Sequence, residues 1–148
     1  MQKKFTTKSD IETIALGSKL GAQLRGGEFI ALTGDLGGGK TQFAKGIAKG
    51  LGIDETVVSP TFTIERIYTP VVIPGHKPGI QLHHFDLYRT MNDKEIAESI
   101  ADLVSDSKSI VVIEWPENID GILPHKYTAI DFKYLGENER EITIEEHE

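Results

Sequence analysis

Residues 34–41, Gly-Asp-Leu-Gly-Gly-Gly-Lys-Thr, hold the side chains and the backbone freedom needed to grip a phosphate chain. They satisfy the pattern Gly-x-x-x-x-Gly-Lys-Thr in full. The glycines let the backbone curl tightly, so that successive N–H groups point inward at one anion. Lys40 sets a cation against the β and γ phosphates of a nucleotide, and the Thr41 hydroxyl can bind Mg²⁺. The expected nucleotide-binding set is Asp35, Leu36, Gly37, Gly38, Gly39, Lys40, Thr41 and Gln42. An apolar run, Phe29-Ile-Ala-Leu, precedes the motif, and Gln-Phe-Ala-Lys-Gly-Ile-Ala follows it. That is the strand–loop–helix context in which a helix N-terminus faces a bound anion.

Hydrolysis of a bound triphosphate also needs a carboxylate near the metal and the attacking water, at the end of a neighbouring strand. Two segments supply one. Ile110-Val-Val-Ile113 delivers Glu114 at a strand's C-terminal end, where open α/β sheets bind ligands. Leu82-His-His-Phe85 delivers Asp86. Glu114 follows the cleaner apolar run and is the preferred Mg²⁺ ligand beside Thr41, directly or through water. Asp86 is the second choice for metal or water. Lys40, Asp86 and Glu114 are therefore the expected catalytic residues. The chain has no Asn-Lys-x-Asp segment, the sequence that reads guanine, which favours ATP over GTP. His83 and His84 are adjacent on a strand and point to opposite faces, so they are poorly placed to share an ion. The expectation for them is one buried and one exposed side chain. Trp115 reads either as core packing or as a neighbour of the nucleotide.

The elements that must position these residues follow from periodicity. Ser9-Asp-Ile-Glu12 is a capping box, and Ile11, Ile14, Ala15 and Leu20 at roughly helical spacing predict a helix over 10–24. Arg25-Gly-Gly27 ends it. A short buried strand is expected over 28–33, and a helix over 40–51 with Phe43, Ile47, Ala48 and Leu51 on one side. Residues 62–69 alternate with period two and are expected to pair antiparallel with 80–86, across the proline-rich tip Thr-Pro-Val-Val-Ile-Pro-Gly-His-Lys-Pro-Gly. A helix capped by Asn92 or Asp93 runs to Val104, and 109–115 is the clearest parallel-strand run. The tail predicts two strands around a Gly-Glu-Asn turn. The expected fold is an α/β, P-loop NTPase-like three-layer domain, a mixed sheet with a parallel core and antiparallel hairpin additions, spanning 1–148 as a single domain.

Composition limits the function. With 148 residues the chain is short for a nucleotide enzyme that also carries a substrate domain. The net charge is −7 and there are four arginines, which argues against a direct, tight polyanion binder. There are no cysteines, so thiol nucleophiles and zinc-thiolate sites are excluded. No signal-peptide-like or 18-residue apolar stretch occurs, and a cytoplasmic location is expected. Two other functions compete with an ATPase. A small-molecule kinase would need an arginine-bearing lid, and the 70–79 loop offers only His76 and Lys77. A non-catalytic nucleotide-binding scaffold would bind without hydrolysis.

Four motifs in order, the Gly34–Thr41 loop, Ser59-Pro60-Thr61-Phe62, His84-Phe85-Asp86-Leu87-Tyr88-Arg89 and Glu114-Trp115-Pro116-Glu117, resemble the TsaE family, the ATPases of bacterial tRNA threonylcarbamoyladenosine biosynthesis. The resemblance runs from the first helix through Glu117. It implies ATP and Mg²⁺ as ligands, slow hydrolysis by the isolated chain, and two partner proteins, TsaD and TsaB. These partners transfer a threonylcarbamoyl group to an adenosine beside the anticodon, so tRNA is met only indirectly through the complex. It further implies that Gly37, Gly38, Gly39, Lys40 and Thr41 hold the phosphates and Mg²⁺. Glu114 matches the metal-proximal acid, and Asp86 the functional acid of the Asp-Leu-Tyr-Arg motif. Ser59 to Thr63 would sense nucleotide state, and Trp115 would lie close to the nucleotide. Two segments depart from the pattern: the long 69–79 tip, and Ala-Glu-Ser-Ile-Ala-Asp-Leu-Val-Ser-Asp-Ser-Lys-Ser, a weaker match.

Overall fold

The computed structural model describes residues 2–35, 39–57, 64–70 and 79–148. In chain order the elements are β1 (Gln2–Thr7), α1 (Asp10–Gln23), β2 (Phe29–Gly34), α2 (Lys40–Gly50), β3 (Glu65–Tyr68), β4 (Gln81–Asp86), α3 (Lys94–Ala101), β5 (Ser109–Glu114), a single 3₁₀ turn (Pro116–Asn118), β6 (Tyr127–Tyr134) and β7 (Arg140–His147). The strands form one sheet in the order β1-β7-β6-β2-β5-β4-β3. β6, β2, β5 and β4 run parallel, while β7, β1 and β3 are antiparallel to their neighbours. This is the mixed α/β sheet that the sequence predicts. One face packs Ile30, Leu32, Leu82, Ile110, Val112, Ile130 and Phe132 against α2 residues Phe43 and Ile47. The other face packs Phe29, Phe85, Val111 and Ile113 against Ile100 of α3. β5 is buried along its whole length, as befits a parallel strand covered on both faces.

Helix α1 starts where the capping signal places it: the Ser9 hydroxyl accepts from the Glu12 N–H at 3.1 Å. Its inward face is different from the one the apolar spacing predicts. Ile11 is 79% exposed, and the buried residues are Thr13, Gly17 and Gly21. The reason lies in α2, which presents Gly46 and Gly50 to the same contact. A Cβ on Gly17 would strike the Phe43 carbonyl oxygen, and one on Gly21 the Ile47 carbonyl. A Cβ on Gly46 would strike the Ile14 carbonyl, and one on Gly50 the Ser18 carbonyl. The two helices therefore touch backbone to backbone, and bulky residues are excluded from the seam.

Strand β1 lies in a stretch that reads as no element in the sequence. Only Phe5 and Thr7 turn inward from it. The Thr7 hydroxyl meets the Thr13 hydroxyl at 2.7 Å. A strand this polar, at the sheet's edge, carries almost no alternation to detect. Helix α3 is shorter than expected. Asp93 caps it, accepting from the Ile96 N–H at 3.1 Å, but the N–H groups of Leu103 and Val104 bond three residues back and the segment turns. The expected strand 62–69 is observed as β3 from Glu65; Phe62 and Thr63 lie outside the described residues, as do Ser59, Pro60, Thr61 and most of the 70–79 loop.

Both histidines are buried, which corrects the expectation of one exposed ring. They do face opposite ways. His83 Nδ1 pairs with Glu65 Oε2 at 2.8 Å and Nε2 lies 3.3 Å from the Ser109 hydroxyl, which donates to Asp106 at 2.8 Å. This chain of side chains ties edge strand β3 through β4 to the start of β5. His84 belongs to the other face, with the site.

The helix seam yields a stability test. Gly46→Ala forces the two backbones apart and is expected to destabilise by about 1–3 kcal/mol, the range for overpacking, read as a fall in the denaturation midpoint. Gly136→Ala, where a Cβ meets nothing within 4 Å, is the control and should be near neutral. Equal midpoints for the two variants would refute the close-contact reading.

Candidate functional site

The site is assembled at the C-terminal ends of three neighbouring strands. β2 ends at Gly34 and feeds the glycine loop; β5 lies beside it, with Leu32 opposite Glu114; β4 lies beside β5, with Asp86 opposite Glu114. Strand pairing alone thus brings the loop and both candidate carboxylates to one edge of the sheet, the place where open α/β sheets bind ligands. Leu36, Gly37 and Gly38 lie outside the described residues. Gly39 caps α2 with φ +103°, a left-handed conformation that a side chain would strain. The space where its Cβ would sit is bounded by Thr13 of α1, Phe132 of β6 and the aliphatic stem of Arg140, each at 3.6–3.7 Å.

Lys40 folds back along the first turn of α2 and is only 5% exposed. Its ammonium donates to the Gly34 carbonyl at 2.5 Å and to the Asp35 carbonyl at 3.3 Å. It also sits 3.9 Å from the centre of the Trp115 ring, within cation–π range. Burial pushes the Lys40 ammonium below its ordinary value of 10.5, against the opposing pull of Glu114, Glu117, Asp86 and Asp35. Burial outweighs the pull of these carboxylates, and Lys40 stands at the N-terminus of α2. Thr41 and Gln42 follow in the same turn, half-buried.

Glu114 is 3% exposed, and its Oε2 lies 2.6 Å from His84 Nε2. Its carbonyl accepts from the Leu87 N–H at 3.0 Å, which locks the strand end to the loop after β4. Asp86 is half-buried, and its Oδ1 accepts from the Tyr88 N–H at 3.0 Å. Trp115 adopts φ 60°, ψ 49°, a left-handed backbone that costs a non-glycine residue on the order of 1 kcal/mol or more. That kink places its ring between Lys40 and Tyr88, whose ring centre is 5.1 Å away. Among the described residues no group of three or more His, Asp or Glu side chains could hold a metal ion by itself. The donor set fits Mg²⁺ held through one hydroxyl, one carboxylate and the phosphates of a nucleotide, the usual manner for that ion. A groove of about 830 Å³ lined by Phe29, Val104, Ile122, Tyr127 and His147 lies at the opposite, N-terminal end of the parallel strands and holds none of these residues.

Sequence reasoning missed two neighbours of the site. His84 engages Glu114, although Leu82, His84 and Asp86 alternate on one face and that period was there to be read. Arg140 flanks Gly39 from a strand a hundred residues downstream, for which spacing offers no signal. Arg66 and Arg89 are both exposed.

The depressed Lys40 gives a signed prediction. Between its folded value and 10.5 the unfolded chain binds more protons, so native stability rises with pH in that window. Lys40→Met removes the effect, so the stability of native protein relative to this variant should climb as pH is raised toward 10.5, measured by urea denaturation. A pH-independent difference would show that Lys40 is not paying for burial.

With this geometry in view, comparison with known proteins is specific. The family model described as threonylcarbamoyl adenosine biosynthesis protein TsaE matches residues 7–142. The tRNA threonylcarbamoyladenosine biosynthesis protein TsaE of Bacillus subtilis is 38% identical over 143 residues, covering 97% of this chain and 85% of the relative. The protein of the same name from Treponema pallidum is 33% identical, covering 95% of this chain and 98% of the relative. The crystal structure of Bacillus subtilis YdiB superposes with a TM-score of 0.75 at 33% identity, over 97% of this chain and 84% of that one. Matched along nearly its whole length in both sequence and fold, this chain belongs to the TsaE family of threonylcarbamoyladenosine biosynthesis proteins.

Proposed function

We propose that this chain binds MgATP in the Gly34–Thr41 loop and hydrolyses it slowly, driving a cycle of the TsaD and TsaB proteins in tRNA threonylcarbamoyladenosine modification. The observation that carries this reading is the convergence of Lys40, Glu114 and Asp86 on one sheet edge beside a glycine-capped helix N-terminus. Lys40 meets the β and γ phosphates, and the N-terminus of α2 adds its dipole. Thr41 and Glu114 hold the metal side of the site, and Asp86 orients water or metal beside Glu114. Mg²⁺ held there by Thr41 and Glu114 would neutralise charge on the phosphates. Trp115 walls the site next to Lys40.

Slow turnover by the isolated chain belongs to this reading, since Arg66 and Arg89 are exposed and one guanidinium nitrogen of Arg140 is engaged at a turn. Arg140 beside Gly39 donates to the carbonyls of Gly136, Glu137 and Glu139, which directs its guanidinium to the β6–β7 turn. Stabilising charge on the transferred phosphoryl group then falls to a partner, as with arginine fingers supplied in trans. The net charge of −7 supports a role exercised through proteins, with tRNA held by them. A cytoplasmic location goes with that role. No helix among the described residues is long and apolar enough to cross a membrane.

The test is steady-state ATP hydrolysis by the purified chain, alone and with a TsaD–TsaB pair. The rate should rise with the pair, and Lys40→Ala should lower it by about 10²–10³, the cost of deleting one charge-stabilising donor. Unchanged ATP affinity and turnover in Lys40→Ala would overturn the loop assignment. Phosphorylation of a small acceptor instead of phosphate release would favour a kinase. Binding without turnover under any condition would favour a scaffold.

Nucleotide binding should also be linked to protons. Phosphates facing Lys40 favour its charged form, so binding at a pH just below 10.5 should take up protons. Calorimetry in two buffers of different ionisation enthalpy reads this directly, and no uptake would mean that the lysine does not meet the phosphates.

A further inference from the structure

We infer that His84 is the positioning residue of this site: it fixes the orientation of the Glu114 carboxylate. The inference rests on the proposed role of Glu114. His84 sits on β4 two residues before Asp86, on the sheet face shared with Leu82, Val112 and Glu114. It is 1% exposed, and its Nε2 lies 2.6 Å from Glu114 Oε2. A carboxylate only accepts, so Nε2 carries the hydrogen and donates. His84 Nδ1 is buried with no partner among the described residues. The tautomer protonated on Nε2 leaves only a bare lone pair there, whereas a hydrogen on Nδ1 would be stranded.

This arrangement is costly as a piece of core. Its neighbours Leu82, Ile110 and Val112 are each at most 2% exposed, and burying an imidazole against a carboxylate among them is no more stabilising than a leucine would be. What the pair does supply is orientation. A glutamate side chain loses about 1.5–2 kcal/mol of rotamer freedom when fixed. The His84 bond fixes it during folding, before any ligand arrives. The bond engages Oε2, leaving Oε1 as the oxygen that His84 does not hold, while the Glu114 charge acts on Lys40 more strongly than that of any other carboxylate. Asp86 is held in parallel fashion by the Tyr88 N–H. Both acids of the site are therefore restrained from the β4 side.

The experiment compares His84→Leu, which removes the donor, with His84→Gln, whose amide nitrogen can replace Nε2–H. With TsaD and TsaB present, His84→Leu should lose about 10–100-fold in kcat, the usual cost of removing a supporting partner from a metal-proximal ligand, with KM for ATP little changed. His84→Gln should recover most of the loss. Native kcat in a folded His84→Leu protein, or a His84→Gln protein as slow as His84→Leu at native stability, would overturn the inference. Two readouts do not depend on turnover. A crystal structure of His84→Leu should show the Glu114 carboxylate rotated away from its native position, and an unmoved carboxylate would refute the positioning role. If His84→Leu does not fold, nitrogen-15 NMR of native protein decides. His84 should be protonated on Nε2, with that proton shifted upfield in Glu114→Gln, and a tautomer protonated on Nδ1 would refute the inference. Absent hydrolysis by native protein with the partners would reject the ATPase proposal, and the carboxylate position would still judge His84.

Discussion

The contact between α1 and α2 is the constraint on which the rest of the site depends. Four glycines, Gly17 and Gly21 on one helix and Gly46 and Gly50 on the other, bring two backbones together where any methyl group would collide with a carbonyl oxygen. Each of these glycines lowers helix propensity by roughly 1 kcal/mol relative to alanine, so the seam is tolerated for its geometry. Side chains can shift rotamers to absorb a displacement, whereas a backbone pressed on a backbone cannot. α2 is the helix whose first turn carries Lys40, and Thr13 of α1 borders the space at Gly39. The position of the N-terminal end of α2 is therefore set by the seam as well as by β2.

Against that rigid support the site concentrates groups that are unfavourable elsewhere. Lys40, His84 and Glu114 are all nearly inaccessible, and Trp115 holds a left-handed backbone. Each is costly alone. Together they offset one another: Glu114 accepts from His84 and attracts Lys40, and Lys40 lies on the Trp115 ring. The remaining imbalance is the burial that depresses Lys40.

Much of this was legible in the residues. The strand-to-helix passage from β2 to α2, the cap at Ser9, and the wholly buried β5 delivering Glu114 all follow from local chemistry. So do two of the three antiparallel pairs among the described residues, β3–β4 and β6–β7, because alternation and turn residues are local signals. The inward face of α1 was not legible, since a hydrophobic pattern seeks large residues and points to Ile11, whereas the contact is made by the absence of side chains. β1 escaped because a polar edge strand has no face to reveal. The partner of His84 was not legible because alternation gives the face of a strand but not its neighbour, and Glu114 is 30 residues away. The placement of β2 between β5 and β6, including the Thr33–Asp131 hydrogen bond at 2.8 Å across 98 positions, is a long-range fact that spacing does not encode.

The strand order also has a consequence for how the molecule behaves in company. Among the described residues the outermost strands of the sheet are β1 and β3, and outermost strands are the usual route to intermolecular pairing. Here β1 carries Lys3 and Lys4 side by side, and β3 is four residues long with Glu65 and Arg66 at its start. A second copy aligning on either edge would have to bury or pair those charges within the first few rungs. The same polar character that hides β1 from a periodicity search thus works against fibrous association of a sheet that shows seven strands among the described residues.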